Sequence, residues 1–293
     1  MVTIELSGGL GNQMFQYALA IKMNHLGNDV LVNACFSEEN PRRLELGCFE
    51  GVEKTGIPIL ISNESKLQNN RLTSLVRKLL NKKVPVYKDK IIVYQPEIYK
   101  YNNVYLSGYW QNESYFADIR NKILSLYSFK DELIENWNEL LKEKIRDGTY
   151  IEKENSTSIH VRRMDYLTQQ NRIIYDGICT IDYYKEAVGY IRETVENPVF
   201  YWFSDDIEWV RNNMMPLISE DDEYKHVMVD IGWKDCAADM WLMTRCKHHI
   251  IANSTYSWWG AWLGTNVDKI VVAPRKWMNG YSDDIICHGW IRI

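Results

Sequence analysis

From Thr157 to Ala273 short apolar runs alternate with stretches of helical periodicity, and no other feature constrains the fold as strongly. Strands are expected at Thr157–Val161, Pro198–Phe203, His226–Asp230, His248–Asn253 and Lys269–Ala273. Helices are expected between them at Asp182–Val195, Ile207–Met214, Lys234–Arg245 and Ser257–Leu263. Strands separated by helices cannot pair as hairpins, so this half predicts a doubly wound parallel sheet. The chain opens in the same way: strand Val2–Leu6, glycine-rich turn Ser7–Gly11, helix Asn12–Leu26, strand Asp29–Ala34. Between the two patterns, Phe36–Asn103 is irregular with short strands near Ile91–Tyr94, Val104–Trp110 reads as a strand, and Phe116–Lys144 reads as helical. A polar run with an Asp147-Gly148 turn precedes Thr157 and suggests two α/β domains, 1–150 and 151–293.

Composition narrows the functional classes. With 34 Lys and Arg against 39 Asp and Glu, the formal net charge is -5, which argues against a nucleic-acid binder. Six cysteines without a C-x-x-C pair suggest reduced thiols and neither a disulfide scaffold nor a zinc site. The N-terminus lacks the basic start and apolar run of a leader, and no span approaches the roughly 20 apolar residues that cross a bilayer. A cytoplasmic location is therefore expected. Arg71–Lys83 spaces leucines at helical intervals among cations, and this basic helix either packs on its own domain or touches a membrane surface. Aromatic residues reach 13% of the chain, with 19 Tyr and 11 Trp, rings that combine an apolar face with a polar edge.

In open α/β sheets ligands bind beyond the carboxyl ends of strands, so the residues that follow each strand carry the functional information. The first C-terminal strand runs into His160, Arg162, Arg163 and Asp165. The planar fork of arginine matches phosphate oxygens two at a time, so an arginine pair suits a diphosphate; an ion-pair cluster with Asp165 is the competing reading. The next strand ends in Asp205 and Asp206, which either accept from a nucleoside or cap the following helix. Asn253, Ser254 and Thr255 stand at a helix start, where free amides and hydroxyls make an anion site and capping competes. The three indoles of Ser257–Trp262 serve either the core or sugar stacking. Gly9 and Gly11 allow close backbone approach to a ligand, although Met14 occupies the last glycine position of the dinucleotide fingerprint. No D-x-D occurs, so no metal site is expected, and cationic side chains would have to neutralise a leaving diphosphate.

Several of these segments together resemble a known family. GGLGNQMFQYA (Gly8–Ala18), GYWQNESYF (Gly108–Phe116), HVRRMDY (His160–Tyr166), FSDD (Phe203–Asp206) and NSTYSWWGAWL (Asn253–Leu263) are similar to segments of bacterial α-1,2-fucosyltransferases, glycosyltransferase family 11. The resemblance implies a GT-B-like α/β fold, two Rossmann-type domains facing a cleft. It also implies inverting, metal-independent transfer of L-fucose from GDP-β-L-fucose to the 2-hydroxyl of a terminal galactose, with no cofactor. Carried over by position, Arg162 holds the β-phosphate, His160 and Arg163 order the pocket, and Asp205 or Asp206 reads guanine. Ser254 and Thr255 bind phosphate, and Asn12 faces the donor from the other domain. Asp165 is the candidate general base, with Glu113 as its rival. The partners implied are GDP-fucose and a galactose-terminated glycan; a peripheral membrane contact is the alternative role of the basic helix alone. A non-catalytic glycan-binding protein and a nicotinamide-dependent dehydrogenase are the alternatives from other classes.

Overall fold

The structure, a computed structural model, describes residues 1–36, 43–63, 84–144, 151–152, 154–220, 223–230 and 236–293. The chain divides into two compact units, Met1–Ser128 and Phe129–Ile293. This break precedes the boundary expected at 150/151, so the Asp131–Lys144 helix goes with the C-terminal unit. Its packing explains why: the Trp137 indole is buried and lies 5.4 Å from the ring of Trp241. The basic Arg71–Lys83 segment and the first residues of the expected Lys234–Arg245 helix lie outside the described residues.

The N-terminal unit is built on a five-stranded sheet: β1 (Val2–Leu6), β2 (Val30–Phe36), β3 (Ile59–Asn63), β4 (Val86–Lys88) and β5 (Val104–Ser107), in the order β3-β2-β1-β5-β4. Every pairing is parallel. Val2, Ile4 and Leu6 of β1 are fully buried, as befits the central strand of a covered parallel sheet. The expected helix is α1 (Leu10–His25), which ends before Gly27 in the left-handed region at φ +85°. Strand order reverses between β1 and β5, so their carboxyl ends border the crevice of this sheet.

The strand expected near Ile91–Tyr94 does not form. Ile91 and Ile92 have φ values of +45° and +71°, and the edge strand is Val86–Lys88 instead. Of the apolar residues of this turn Ile92 lies in the core, whereas Ile91 and Val93 are exposed. The strand beginning at Val104 also stops early, because Gly108 turns the chain at φ +135°, where a Cβ would lie 2.2 Å from that of Asp89.

The C-terminal unit has six parallel strands: β6 (Asn155–Val161), β7 (Pro198–Ser204), β8 (Lys225–Met228), β9 (His248–Ile250), β10 (Val271–Ala273) and β11 (Ile291–Arg292). Their order is β11-β10-β9-β6-β7-β8, with the reversal between β6 and β9. β11 has no counterpart among the expected strands, because a two-residue edge strand carries no periodicity. On one face of β6, Ile159 and Val161 pack with Tyr184, Val188 and Ile191 of the Ile181–Thr194 helix. In the Thr255–Leu263 helix, Trp258, Trp259 and Trp262 are at most 2% exposed and pack on one another, so they are core and not a sugar platform.

Candidate active site

The reversal point of the C-terminal sheet gathers the residues that follow β6, β7 and β9. Both hydrogen bonds from Arg162 to Asp165, Nε to Oδ1 and Nη2 to Oδ2, measure 2.8 Å, and its Nη1 lies 3.1 Å from Asp205. Burial weakens the charge on Arg162, but the bonds to Asp165 and the charge of Asp205 outweigh it and raise its pKa. Arg163 donates from its backbone amide to Asp205 at 2.9 Å and from Nε to Asp206 at 2.9 Å. Its guanidinium carbon lies 3.7 Å from the ring centroid of Trp209. Burial pushes the Asp205 carboxyl above its usual range despite Arg162 nearby.

These contacts answer the capping question. Asp206 is the N-cap residue of the turn starting at Ile207, yet it makes no side-chain cap bond; Ser204 Oγ instead accepts from the Asp206 amide at 3.0 Å. The two aspartates bind the arginine-bearing loop. Both oxygens of Asp165, the candidate base, are turned onto Arg162.

His160, on β6, is buried, and its Nδ1 has no hydrogen-bond partner among the described residues. Burial, reinforced by the charge of Arg162, holds its pKa down at about 3, so the imidazole is neutral at ordinary pH. It lies 5.5 Å from the ring of Tyr256, and Tyr184 donates to its carbonyl at 2.9 Å.

Asn253, expected in the binding set, uses its side chain for scaffolding. Nδ2 donates to Trp277 O at 3.0 Å, Oδ1 accepts from the Cys179 thiol at 3.3 Å, and its own carbonyl accepts from Tyr166 at 2.7 Å. Ser254 caps the Thr255–Leu263 helix through the Tyr256 amide at 3.4 Å, and Thr255 opens that helix.

Within the N-terminal unit, Gly9 is the N-cap residue of α1, with Gly11 and Asn12 on the first turn. The Leu10 amide donates to Glu45 at 2.6 Å, and the Gln13 side chain bonds Gly8 O and Arg43 O, both at 2.8 Å. A carboxylate of this unit thus already serves the amide end where the glycines suggested a phosphate cradle. Gly8, at φ +78°, leaves room that a Cβ would close to 2.7 Å from Asn12 Nδ2. Asn12 Oδ1 accepts from Gln111 at 2.9 Å.

Trp209, Tyr166 and Tyr256 are absent from the sequence-derived set. Trp209 stands three residues after Asp206, one helical turn on, so the carboxylate takes the edge of Arg163 while the indole takes its face. That i, i+3 spacing was the available signal.

Two parallel α/β units, one with an arginine pair at its switch point, fit the GT-B class of fold that glycosyltransferases use. The chain belongs to glycosyl transferase family 11, whose family model matches residues 1–293. It is 33% identical to the O-antigen biosynthesis glycosyltransferase WbnK of Escherichia coli, over 98% of this chain and 99% of that one. It is 30% identical to an Escherichia coli alpha-1,2-colitosyltransferase, over 100% of this chain and 99% of that one. A galactoside alpha-(1,2)-fucosyltransferase 1 of Leontopithecus chrysomelas is 30% identical over 54% of this chain and 42% of its own length. Among solved structures, a mutant of Arabidopsis thaliana FUT1 in complex with GDP aligns with 92% of this chain and 69% of that one, at TM-score 0.51 and 13% identity, a likeness of fold. The enzyme is thus a glycosyltransferase that takes a nucleotide-sugar donor and a glycan acceptor. No helix among the described residues is long and apolar enough to cross a membrane.

Proposed function

We propose that the enzyme transfers L-fucose from GDP-β-L-fucose to the 2-hydroxyl of a terminal galactose, with inversion and without a metal ion. The observation that carries this is the arginine pair at the β6–β9 switch point, fixed by Asp165, Asp205 and Asp206. Two of the five N–H donors of Arg162 are committed to Asp165 and Nη1 also faces Asp205, so each terminal nitrogen keeps one further N–H for phosphate oxygens. In the reaction the bond from fucose C1 to the β-phosphate oxygen breaks while galactose O2 bonds to C1 from the opposite face. GDP departs with the electron pair, and Arg162 stabilises its growing charge. Arg163, His160, Ser254 and Thr255 order the donor pocket.

The proton of O2 goes to a general base. With Asp165 engaged by Arg162, we propose Glu113, in the 3-10 turn Glu113–Tyr115 after β5, for that role. Asp206 uses one oxygen on Arg163, and the other is the candidate reader of guanine. The full-length resemblance to a colitosyltransferase favours a second donor, the GDP conjugate of a related deoxysugar, on the same machinery.

Calorimetric titration of GDP and ADP separates nucleotide reading from loop support. Asp206→Asn should weaken GDP binding about tenfold and erode the preference over ADP, because an amide accepts less strongly and presents a donor where guanine also donates. Unchanged GDP affinity and unchanged preference over ADP would remove the guanine-reading role.

A further inference from the structure

The segment Gly108–Gln111 takes no part in the donor site, yet strained backbone concentrates around it. Four non-glycine residues among those described have positive φ: Ile91, Ile92, Trp110 and Asn197. The first three lie on the two segments that Asp89 and Asn112 bind together. Asp89 accepts from the amides of Tyr109 and Trp110 at 3.2 and 2.9 Å, and Asn112 Nδ2 donates to Ile92 O at 3.2 Å. Backbone of this kind persists only where its surroundings over-determine it, and it clusters at binding sites.

Here it holds side chains at the reversal point of the N-terminal sheet. Gln16 ties the loop after β1 to the loop after β5, accepting from Ser7 N at 2.9 Å and donating to Gly108 O at 2.8 Å. Trp110 is fully buried, while its neighbour Tyr109 projects at 41% exposure. Gln111 is 8% exposed; it donates to Asn12 and its carbonyl oxygen has no partner among the described residues. From Ser7 to Gln13 and from Gly108 to Glu113 there is no cation, so this rim, unlike the C-terminal one, suits a neutral ligand and not a diphosphate. An exposed phenol ring two residues from an amide pair supplies what a pyranose needs, which presents an apolar face and a belt of hydroxyls.

We propose that Tyr109, Gln111 and Asn12 form the subsite for the terminal galactoside of the acceptor, Tyr109 stacking on the ring and the amides binding its hydroxyls. The proposal rests on the galactoside-transferase reading. The test measures transfer to lactose from GDP-fucose, and binding of methyl β-galactoside without donor by saturation-transfer NMR, in the full chain. Tyr109→Ala and Gln111→Leu should raise the acceptor KM about tenfold with the donor KM within twofold, a loss on the scale of one aromatic contact. Tyr109→Phe should recover most of the loss, and Tyr281→Ala, an exposed tyrosine of the other unit, should leave both constants alone. An unchanged acceptor KM in Tyr109→Ala, or an equal rise in both constants, would overturn the subsite. If the wild type binds the galactoside but does not turn over GDP-fucose, weakened binding in Tyr109→Ala upholds the subsite while the donor reading falls. Equal binding by Tyr109→Ala, or none by the wild type, overturns the subsite.

Discussion

Arg162 meets two carboxylates in different ways, Asp165 with a planar two-point contact and Asp205 with a single terminal nitrogen. The guanidinium orientation is therefore set before a ligand arrives, and orientation is what a lysine cannot reproduce. Arg162→Lys should behave almost like Arg162→Ala, each losing roughly 3 kcal/mol of transition-state stabilisation, about a hundredfold in kcat/KM. A folded lysine variant within a few-fold of wild type would exclude the two-pronged role. His160 gives a second prediction. Its pKa is held at about 3 in the folded chain but returns to an ordinary value on unfolding, so between roughly pH 6.5 and 3 the unfolded state binds the extra proton. The stabilisation is complete above that window and is lost as pH falls through it, by up to about 1.4 kcal/mol per pH unit for one group. Buried His249, also lowered by burial, adds to the slope. His160→Asn should flatten the dependence of the urea midpoint on pH between 6.5 and 4.5, and an unaltered slope would contradict a buried neutral imidazole.

At the scale of elements, the strand ends were legible and their internal wiring was not. Arg162, Arg163, Asp205 and Asp206 were identifiable as candidates because a parallel sheet gathers the residues after its strands at one rim, and the alternation after Thr157 reveals such a sheet. That the aspartates bind the arginine-bearing loop, with no side-chain cap on the helix at Ile207, depends on a loop conformation that periodicity does not encode. The turn at Ile91–Ile92 was misread for the same reason: β-branched residues look like a strand, and Asp89, pulling Tyr109 and Trp110 onto the turn, overrides their preference. Trp209 was missed because an isolated indole on a helix usually belongs to the core. Trp209→Ala should release the face of Arg163 while leaving Asp206 on its edge, weakening GDP binding by about fivefold, in line with a partly desolvated cation–π contact. Unchanged calorimetric affinity would make Trp209 merely structural.

At the scale of the whole molecule, both sheets are parallel and each reverses its strand order once, at β1–β5 and at β6–β9. This architecture provides two crevices of different chemistry, one cationic after β6 and one neutral after β1 and β5. The division at Ser128 escaped a reading based on polarity, because the Asp131–Lys144 helix is amphipathic and reveals its allegiance only through Trp137. Charge neutralisation by arginine at the cationic crevice is the reason to expect catalysis without a divalent ion. The most direct measurement is therefore transfer from GDP-β-L-fucose to a β-galactoside in EDTA, with the product linkage and anomeric configuration read by NMR. The proposed mechanism gives an α-fucosyl residue on galactose O2 at a rate that EDTA leaves unchanged. A β-linked product, attachment at another hydroxyl, or activity that returns only with added Mg²⁺ or Mn²⁺ would contradict it.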